Sequence, residues 1–407
     1  MAGVPIVGSR QGGTQDLIAH GVNGLLYDAF SPAALAAVLK MLIDDPGRVG
    51  QLAAAASEVK SIEQDAAECH RIYESLVTDR RSSAAGSRAA TGETQHGRTA
   101  AVVLNYQTPD DTTLALRSLE GSRRPFRSVI VVDNGSQDGS ESLLRSRMRQ
   151  ATFVANGTNL GFAGGCNVGI RTALEQGADR VLLVNSDVIL PPDTLEQLED
   201  ALDGDPGVGV AGPAIVSREH PEELVSRGIR FSPKTGRMRF LGHGERWSGP
   251  PDAGPVVVDA VSGCVMLIRR DLIERIGLLS EEYFFGFEDL DYCLRARAAG
   301  YRTVCVPTAM VLHRGSGSIG SRSPRRIYFA TRNHLLLASR LSPTGPAAWF
   351  RAATTGIFNL AHALVSSGVP RAQALRAFAE GLNDHRRGRY GQPSSLDERP
   401  QRAEGAL

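Results

Sequence analysis

Ala100-Ala101-Val102-Val103-Leu104, Val129-Ile130-Val131-Val132, Phe153-Val154-Ala155 and Val181-Leu182-Leu183-Val184 are short apolar runs that stop abruptly in polar residues or glycine. Continuous runs of this kind belong to strands buried on both faces, as in a parallel sheet. They stop at Asn105-Tyr106-Gln107-Thr108-Pro109, at Asp133-Asn134-Gly135-Ser136, at the stretch from Asn159 to Asn167, and at Asn185-Ser186-Asp187. Helical patterns over about 110–121 and on to about Gln176 lie between the runs. The alternation predicts an α/β fold with an open sheet, and such sheets bind ligands at the edge where these polar residues gather.

The rest of the chain sets bounds. Its 407 residues, 42% hydrophobic, are enough for two or three domains with a sizeable core. Charges of both signs balance to a net +1, so no global field draws nucleic acid or an acidic partner, and any phosphate binding must be local. Cys69, Cys166, Cys264, Cys293 and Cys305 are scattered without a C-x-x-C pair. That spacing argues against a disulfide framework or a zinc site and fits a reducing compartment. The N-terminal residues lack a secretory pattern, and no apolar run of about 18 residues predicts a membrane span. The expected location is cytoplasmic.

Beyond about residue 205 the rhythm changes. Residues 208–213 and 256–268 are strand-like, with a charged, glycine-rich region between them. Phe284-Phe285-Gly286-Phe287-Glu288-Asp289-Leu290-Asp291 then runs aromatic residues into acids at the start of a helical pattern. A carboxylate against an aromatic wall gains basicity, and one at a pocket mouth is placed as a general base. A capped helix with surface acids is the plainer alternative. Strand patterns at 303–306 and 311–312 lead to His313, and residues 325–340 read as helix. Residues 346–366 form a mostly apolar helix interrupted by Arg351, Thr354, Asn359 and His362, which is too polar to span a bilayer. Nearby Arg371, Arg376, Arg386, Arg387 and Arg389 leave peripheral contact with anionic lipid open, beside the reading of an ordinary packing helix. Residues 81–98 are small and polar, as a linker is, and the tail from about 391 is predicted to be disordered.

The strand ends suggest chemistry. Asp133 or Asn134 can accept a hydrogen bond from a pyrimidine N3–H. Glycines at Gly161, Gly164 and Gly165 let backbone approach a base or ribose closely, although a tight turn would use them as well. Asp187 with a histidine, His313 being the candidate, suits a hard divalent cation, Mg²⁺ or Mn²⁺, on a diphosphate.

Residues 1–75 carry a Gly12-Gly13 loop followed by Asp16, strand patterns at Val4-Pro5-Ile6-Val7 and from Gly24, and helices over 32–44 and 47–59. This stretch resembles the C-terminal part of GT-B glycosyltransferases of family 4. The upstream strands of that fold are absent, so residues 1–80 are expected to be a partial segment with a structural or docking role.

Residues 99–335 closely resemble GT-A glycosyltransferases of family 2, in their bacterial rhamnosyltransferase-like branch. The motifs are Asn105-Tyr106, Asp133-Asn134-Gly135-Ser136, Asn159-Leu160-Gly161-Phe162-Ala163-Gly164-Gly165-Cys166-Asn167, Asn185-Ser186-Asp187, Ser262-Gly263-Cys264, Phe285-Gly286-Phe287-Glu288-Asp289 and His313. The resemblance implies a GT-A fold, a Rossmann-like mixed sheet, in a catalytic domain over 99–340; beyond it the residue pattern reads as a helical region over 341–390, open to membrane association. It implies a dTDP- or UDP-linked sugar donor, a divalent metal, and inversion at the anomeric carbon. By carry-over, Asn105, Asp133, Asn134, Asn159, Gly161, Gly164, Asn167 and Gly263 form the nucleotide-sugar site. Asp187 holds the metal, His313 is a ligand of the metal or of the diphosphate, Asp289 is the base, and Glu288 orients it or binds the sugar. The family's Asp-x-Asp motif begins here with Asn185, and its Asp-Asp turn reads Asp133-Asn134. The acceptor expected is a saccharide or a lipid-linked saccharide in cell-envelope polysaccharide synthesis, with no nucleic acid partner. A non-catalytic nucleotide-sugar or carbohydrate-binding protein is the rival. A nucleotidyltransferase would need a glycine-rich basic loop after the first strand, which Asn105-Tyr106-Gln107-Thr108-Pro109 does not supply.

Overall fold

The computed structural model describes residues 6–9, 18–28, 31–54, 97–250, 253–315, 323–341, 344–365 and 368–393. They fall into two units, 1–93 and 94–407. In the first unit, β1 (Ile6–Ser9) pairs in parallel with β2 (Gly24–Tyr27). Helices α1 (Pro32–Asp44) and α2 (Pro46–Ala54) follow, the former capped by the Ser31 hydroxyl accepting from Ala34 N. Leu25, Val38 and Leu52 make its small core. Gly12, Gly13 and Asp16, the expected donor loop, lie outside the described residues, as does the linker up to residue 96.

The second unit is built on one mixed sheet. Its parallel half contains β3 (Thr99–Asn105), α3 (Pro109–Glu120), β4 (Ser128–Asp133), α4 (Ser140–Arg147), β5 (Thr152–Ala155), α5 (Gly161–Glu175) and β6 (Arg180–Asn185). The chain continues through β7 (Val188–Ile189), α6 (Thr194–Asp203), β8 (Val208–Ser217) and β9 (Leu224–Ser226). Next come a hairpin of β10 (Ile229–Phe231) and β11 (Met238–Phe240), then β12 (Val256–Val258), β13 (Val265–Arg269) and α7 (Arg270–Ile276). A 3₁₀ turn (Glu281–Tyr283), α8 (Glu288–Ala298) and β14 (Arg302–His313) complete the sheet region. Three helices close the unit: α9 (Pro324–Leu341), α10 (Pro346–Val365) and α11 (Arg371–Arg386).

The strand order is β12-β14-β8-β13-β6-β3-β4-β5. Strands β6, β3, β4 and β5 are parallel, and β13 runs antiparallel between β6 and β8. The chain steps outward from β3 to β5, then returns to lay β6 on the other side of β3. The crevice at the carboxyl ends of β3 and β6 is therefore the topological switch point, where open sheets hold ligands. Side chains alternate between two cores, as strand geometry requires. Ala100 and Val102 pack on one face with Cys166 and Ile170 of α5. Ala101 and Val103 pack on the other with Leu116, Leu144 and Leu198.

The second half of the sheet differs from the sequence reading in detail. Residues 256–268 divide into β12 and β13. The two patterns near 303–312 are one strand, β14, with a register break between Val306 and Met310. The linker ends before Arg98, whose guanidinium meets Asp179 at 3.3 Å. Gly391, expected in a disordered tail, is pinned: its carbonyl accepts from Arg332 at 2.8 Å and its N–H donates to Glu282 O at 2.8 Å. Among the described residues no helix is long and apolar enough to cross a membrane.

Helix α5 approaches the sheet through glycines. A Cβ on Gly169 would meet the Val102 Cγ1 methyl at 2.2 Å, and Val102 is fully buried. Gly169→Ala is expected to cost about 1–3 kcal/mol of stability through overpacking. The measurement is the urea midpoint, which falls with an unchanged slope.

Candidate active site

A cavity of about 1050 Å³ opens at the switch point. Tyr106, Asn185, Ser186, Asp187, Asp289 and His313 line its polar side. Pairing between β7 and β14 sets His313 opposite Val188 and so beside Asp187. His313 Nε2 lies 3.2 Å from Asp187 Oδ1, and Asp187 Oδ2 accepts from Gly315 N at 3.1 Å. Burial pushes the Asp187 carboxyl upward, but the hydrogen bond and charge of His313, with backbone N–H groups, outweigh it and hold it below its ordinary range.

Asp289 faces the same cavity from the first turn of α8. Its Oδ2 accepts from Gly263 N at 2.8 Å and its Oδ1 from Leu290 N at 2.7 Å. Burial raises its carboxyl above the ordinary range despite these donors. Glu288, its neighbour, is buried but does not line the cavity, and its Oε2 has no partner. Burial first, and then the Asp289 charge, push its pKa up to about 8. Sequence reasoning paired the two acids, but consecutive helical residues point about 100° apart, and of the two only Asp289 lines the cavity.

The loop that aims Asp289 is held from α9. Phe284, Gly286 and Phe287 all adopt positive φ (59°, 81° and 76°), which for the two phenylalanines costs energy that surrounding contacts must offset. Asn333 Nδ2 donates to the carbonyls of Tyr283, Phe285 and Gly286 at 2.7, 2.8 and 3.0 Å. Arg332, 1% exposed, reaches Tyr283 O at 3.0 Å and Tyr328 OH at 3.2 Å. The His334 ring stacks on Phe287 with centroids 4.9 Å apart. Sequence reasoning missed Arg332 and Asn333. The available signal was an arginine and an asparagine inside an apolar helical pattern, where neither belongs unless it has buried partners.

Most of the other expected residues frame the loops and stand off the cavity wall. Asp133 accepts from Ser136 N (3.0 Å), Ser136 Oγ (2.7 Å) and Asn105 Nδ2 (2.7 Å). Asn134 Oδ1 accepts from Asn156 Nδ2 (3.0 Å) and Leu160 N (3.1 Å), while its Nδ2 donates to Asn159 Oδ1 and Gly161 O. Both lone pairs of that carbonyl are used, which corrects the expectation that it takes a base N3–H. Asn159 Oδ1 also accepts from Gly161 N, and Asn167 ties α5 to Leu279 through bonds of 2.9 and 3.0 Å. Gly161, at φ 75°, leaves room for Phe284 O, which a Cβ there would approach to 2.4 Å. Gly164 packs on Leu160, and Gly263 serves Asp289.

Among the described residues no three His, Cys, Asp or Glu side chains cluster as a ready metal site. The donors at the cavity are still hard ones. Asn185 Oδ1 is buried at the wall without a partner, next to the Asp187–His313 pair. An orphaned carbonyl beside a carboxylate and an imidazole fits a small divalent cation that takes its other ligands from phosphate and water.

Residues 96–335 match the profile described as Glycosyltransferase like family 2. This chain belongs to that family. The transferase is 30% identical over 274 residues to the N-acetylglucosaminyl-diphospho-decaprenol L-rhamnosyltransferase of Mycobacterium tuberculosis, covering 62% of this chain and 86% of that protein. It is 25% identical over 217 residues to the dTDP-rhamnosyl transferase RfbF of Shigella flexneri, covering 51% and 70%. Among solved structures, the mannosyltransferase PcManGT of Pyrobaculum calidifontis, in complex with GDP-Man and Mn²⁺, aligns at TM-score 0.45 and 19% identity, covering 74% and 86%. The match to the family leaves out residues 1–95, so the GT-B likeness of residues 1–75 stays a resemblance of sequence alone.

Two expectations follow for the transferase. Asn333→Ala frees the loop that aims Asp289, and kcat falls on the order of 10²-fold with donor affinity unchanged, the scale expected when a reacting group is misplaced by about 1 Å. Steady-state kinetics with a separate donor-binding titration checks the split. The second concerns pH. Between 4.5, the ordinary Glu288 value, and about 8, the folded state keeps a proton that the unfolded chain has released. Stability therefore falls as pH rises through that window, and Glu288→Gln flattens the fall, read from urea midpoints at about pH 5 and about pH 8.

Proposed function

We propose that this family 2 transferase inverts the anomeric centre as it moves rhamnose from dTDP-rhamnose to a hydroxyl of a lipid-linked saccharide in cell-envelope polysaccharide synthesis. The observation that carries the reading is one cavity shared by two unlike groups. Asp289, fixed by Gly263 N, and the Asp187–His313 pair both line it. A base and a diphosphate site opening on one cavity is what displacement at C1 needs.

Asp289 takes the proton from the acceptor hydroxyl. That oxygen attacks C1 of the sugar from the face opposite the diphosphate, the C1–O bond breaks, and the electron pair leaves with the diphosphate. The configuration at C1 inverts, with no covalent intermediate. The raised carboxyl of Asp289 makes it a better base than an exposed aspartate while leaving it ionised above its pKa. Asp187, His313 and the Asn185 carbonyl would hold a divalent cation, Mg²⁺ or Mn²⁺, which supplies positive charge opposite the diphosphate when bound. Asp133, Asn134, Asn159 and Gly161 keep the nucleotide loops in shape, and Tyr106 and Phe162 offer cavity-wall surface to the donor. The lining also includes Met238, Phe285, Phe287, Phe329 and Phe358, apolar surface that suits the hydrocarbon stem of a lipid-linked acceptor. The rhamnosyl donor and lipid acceptor are supported by the names of the two relatives above. Residues 1–80, with their GT-B-like pattern, are read as a docking or structural segment.

The test is release of nucleoside diphosphate from dTDP-rhamnose, UDP-glucose, UDP-N-acetylglucosamine and GDP-mannose, with and without Mn²⁺ or Mg²⁺. Metal-dependent release from dTDP-rhamnose, lost in Asp187→Ala, is expected. Asp289→Asn should reduce transfer by about 10²–10⁴-fold, the usual range for a general base. Nucleotide binding without turnover on any donor, in the presence of saccharide acceptors, would instead establish the binding-protein reading.

A further inference from the structure

Helix α10 is inside out. Its polar residues face the protein: Arg351 and Thr355 are buried, with Arg351 donating to Ala338 O at 2.9 Å and Pro233 O at 2.8 Å. Asn359 turns inward to His334, at 3.3–3.4 Å. Its outward face is apolar: Trp349 is 79% exposed, Ile357 63% and Val365 83%, with Phe350 and Leu364 on the same side. The helix carries no acid, and its one full charge, Arg351, is buried. Solvent-facing helices show the opposite sorting, so this face is built for a partner.

The neighbouring element names the chemistry of that partner. The β10–β11 hairpin packs on α10, with Thr354 Oγ1 donating to Thr235 O at 2.7 Å and the Arg237 guanidinium 5.9 Å from the Phe358 ring centroid. The hairpin, residues 229–240, contains Arg230, Lys234, Arg237 and Arg239 and no acid, and all four basic side chains are exposed. A tryptophan-bearing apolar face beside a basic hairpin matches an anionic bilayer surface, where aromatic rings sit at headgroup level and lysine and arginine meet lipid phosphates. A second copy of the chain is the poorer fit, because a two-fold contact through this face would bring the same basic hairpin of each copy to the shared interface.

The face also leads somewhere. Phe358 and His362, on the same helix, line the cavity that holds Asp289. We infer that α10 and the β10–β11 hairpin together dock the enzyme on anionic phospholipid, so that an acceptor embedded in the bilayer enters the cavity from the side past Phe358. The entry route rests on the acceptor being lipid-linked, whereas the docking surface does not.

The experiment is co-sedimentation of the full chain with vesicles of pure phosphatidylcholine and of phosphatidylcholine mixed with phosphatidylglycerol, with light scattering for oligomeric state. The wild type is expected to bind the anionic vesicles, with a blue shift of Trp349 fluorescence in a Trp247→Phe background. Trp349→Ser/Ile357→Ser/Val365→Ser should lower the fraction bound on the order of tenfold or more, and Lys234→Glu/Arg239→Glu should abolish the preference for anionic lipid. None of these residues lines the cavity, so hydrolysis of the sugar donor should be unchanged in both variants. Failure of the wild type to bind, equal binding by the apolar variant, or a wild-type dimer that the apolar variant converts to monomer would overturn the inference. If the triple variant does not fold, the charge variant alone decides: unchanged preference for anionic vesicles overturns. Vesicle binding without sugar transfer leaves the surface standing and removes the proposed function, and transfer to a lipid acceptor without vesicle binding does the reverse.

Discussion

One side-chain amide holds the loop that leads into Asp289. Asn333 shares its two N–H groups among three carbonyls of a segment whose backbone is left-handed at Phe284, Gly286 and Phe287. Without those bonds the Phe285 and Gly286 carbonyls would lose the donor that holds them, although Tyr283 O would keep Arg332, and the strained phenylalanines would relax. The segment runs directly into α8, so its shape decides where Asp289 points. Arg332 carries the same hold to Gly391 beyond α11, which makes the C-terminal segment part of the frame around that loop.

The Asp187–His313 pair depends on sheet pairing. Asp187 follows β6 by one turn residue, and His313 ends β14, over 100 positions later in the chain. They meet because β7 and β14 pair antiparallel with His313 opposite Val188. The register break in β14 between Val306 and Met310 sets which residue arrives there. A shift by one residue would turn His313 to the other face of the sheet, since side chains alternate along a strand. The pairing of Asp187 with His313 thus depends on a bulge that lies close to His313 but more than 100 residues beyond Asp187.

The parallel half of the sheet was legible because its four strands are continuous apolar runs that stop at polar residues, and burial on both faces leaves no other use for them. Asp187, Asp289 and His313 were legible as acids and a histidine at strand or helix ends. The division of labour among the remaining residues was not. Asn134 and Asn167 look like ligand contacts in sequence, but a buried amide needs all its partners inside the protein, and each has them. Glu288 looks like a partner for Asp289 until the helix turns it away. Asn333 was hidden for the converse reason, because its three acceptors lie some 50 residues earlier and nothing local to α9 marks them.

Helix α10 carries the same lesson in its strongest form. In sequence, Arg351, Thr354, Asn359 and His362 merely interrupt an apolar helix, and the average composition is that of a packing helix. The structure separates the residues by face, and the separation has the unusual sign. Arg351 buries its guanidinium to satisfy carbonyls of α9 and of the β10–β11 turn, so the helix is fixed in rotation by polar bonds. Fixing it that way commits Trp349, Ile357 and Val365 to the outside, where exposed apolar area is unfavourable unless something covers it. A hydrogen-bonded arginine on the inner face and an uncovered tryptophan on the outer one are therefore two consequences of a single rotation of the helix, which also brings Phe358 to the cavity wall.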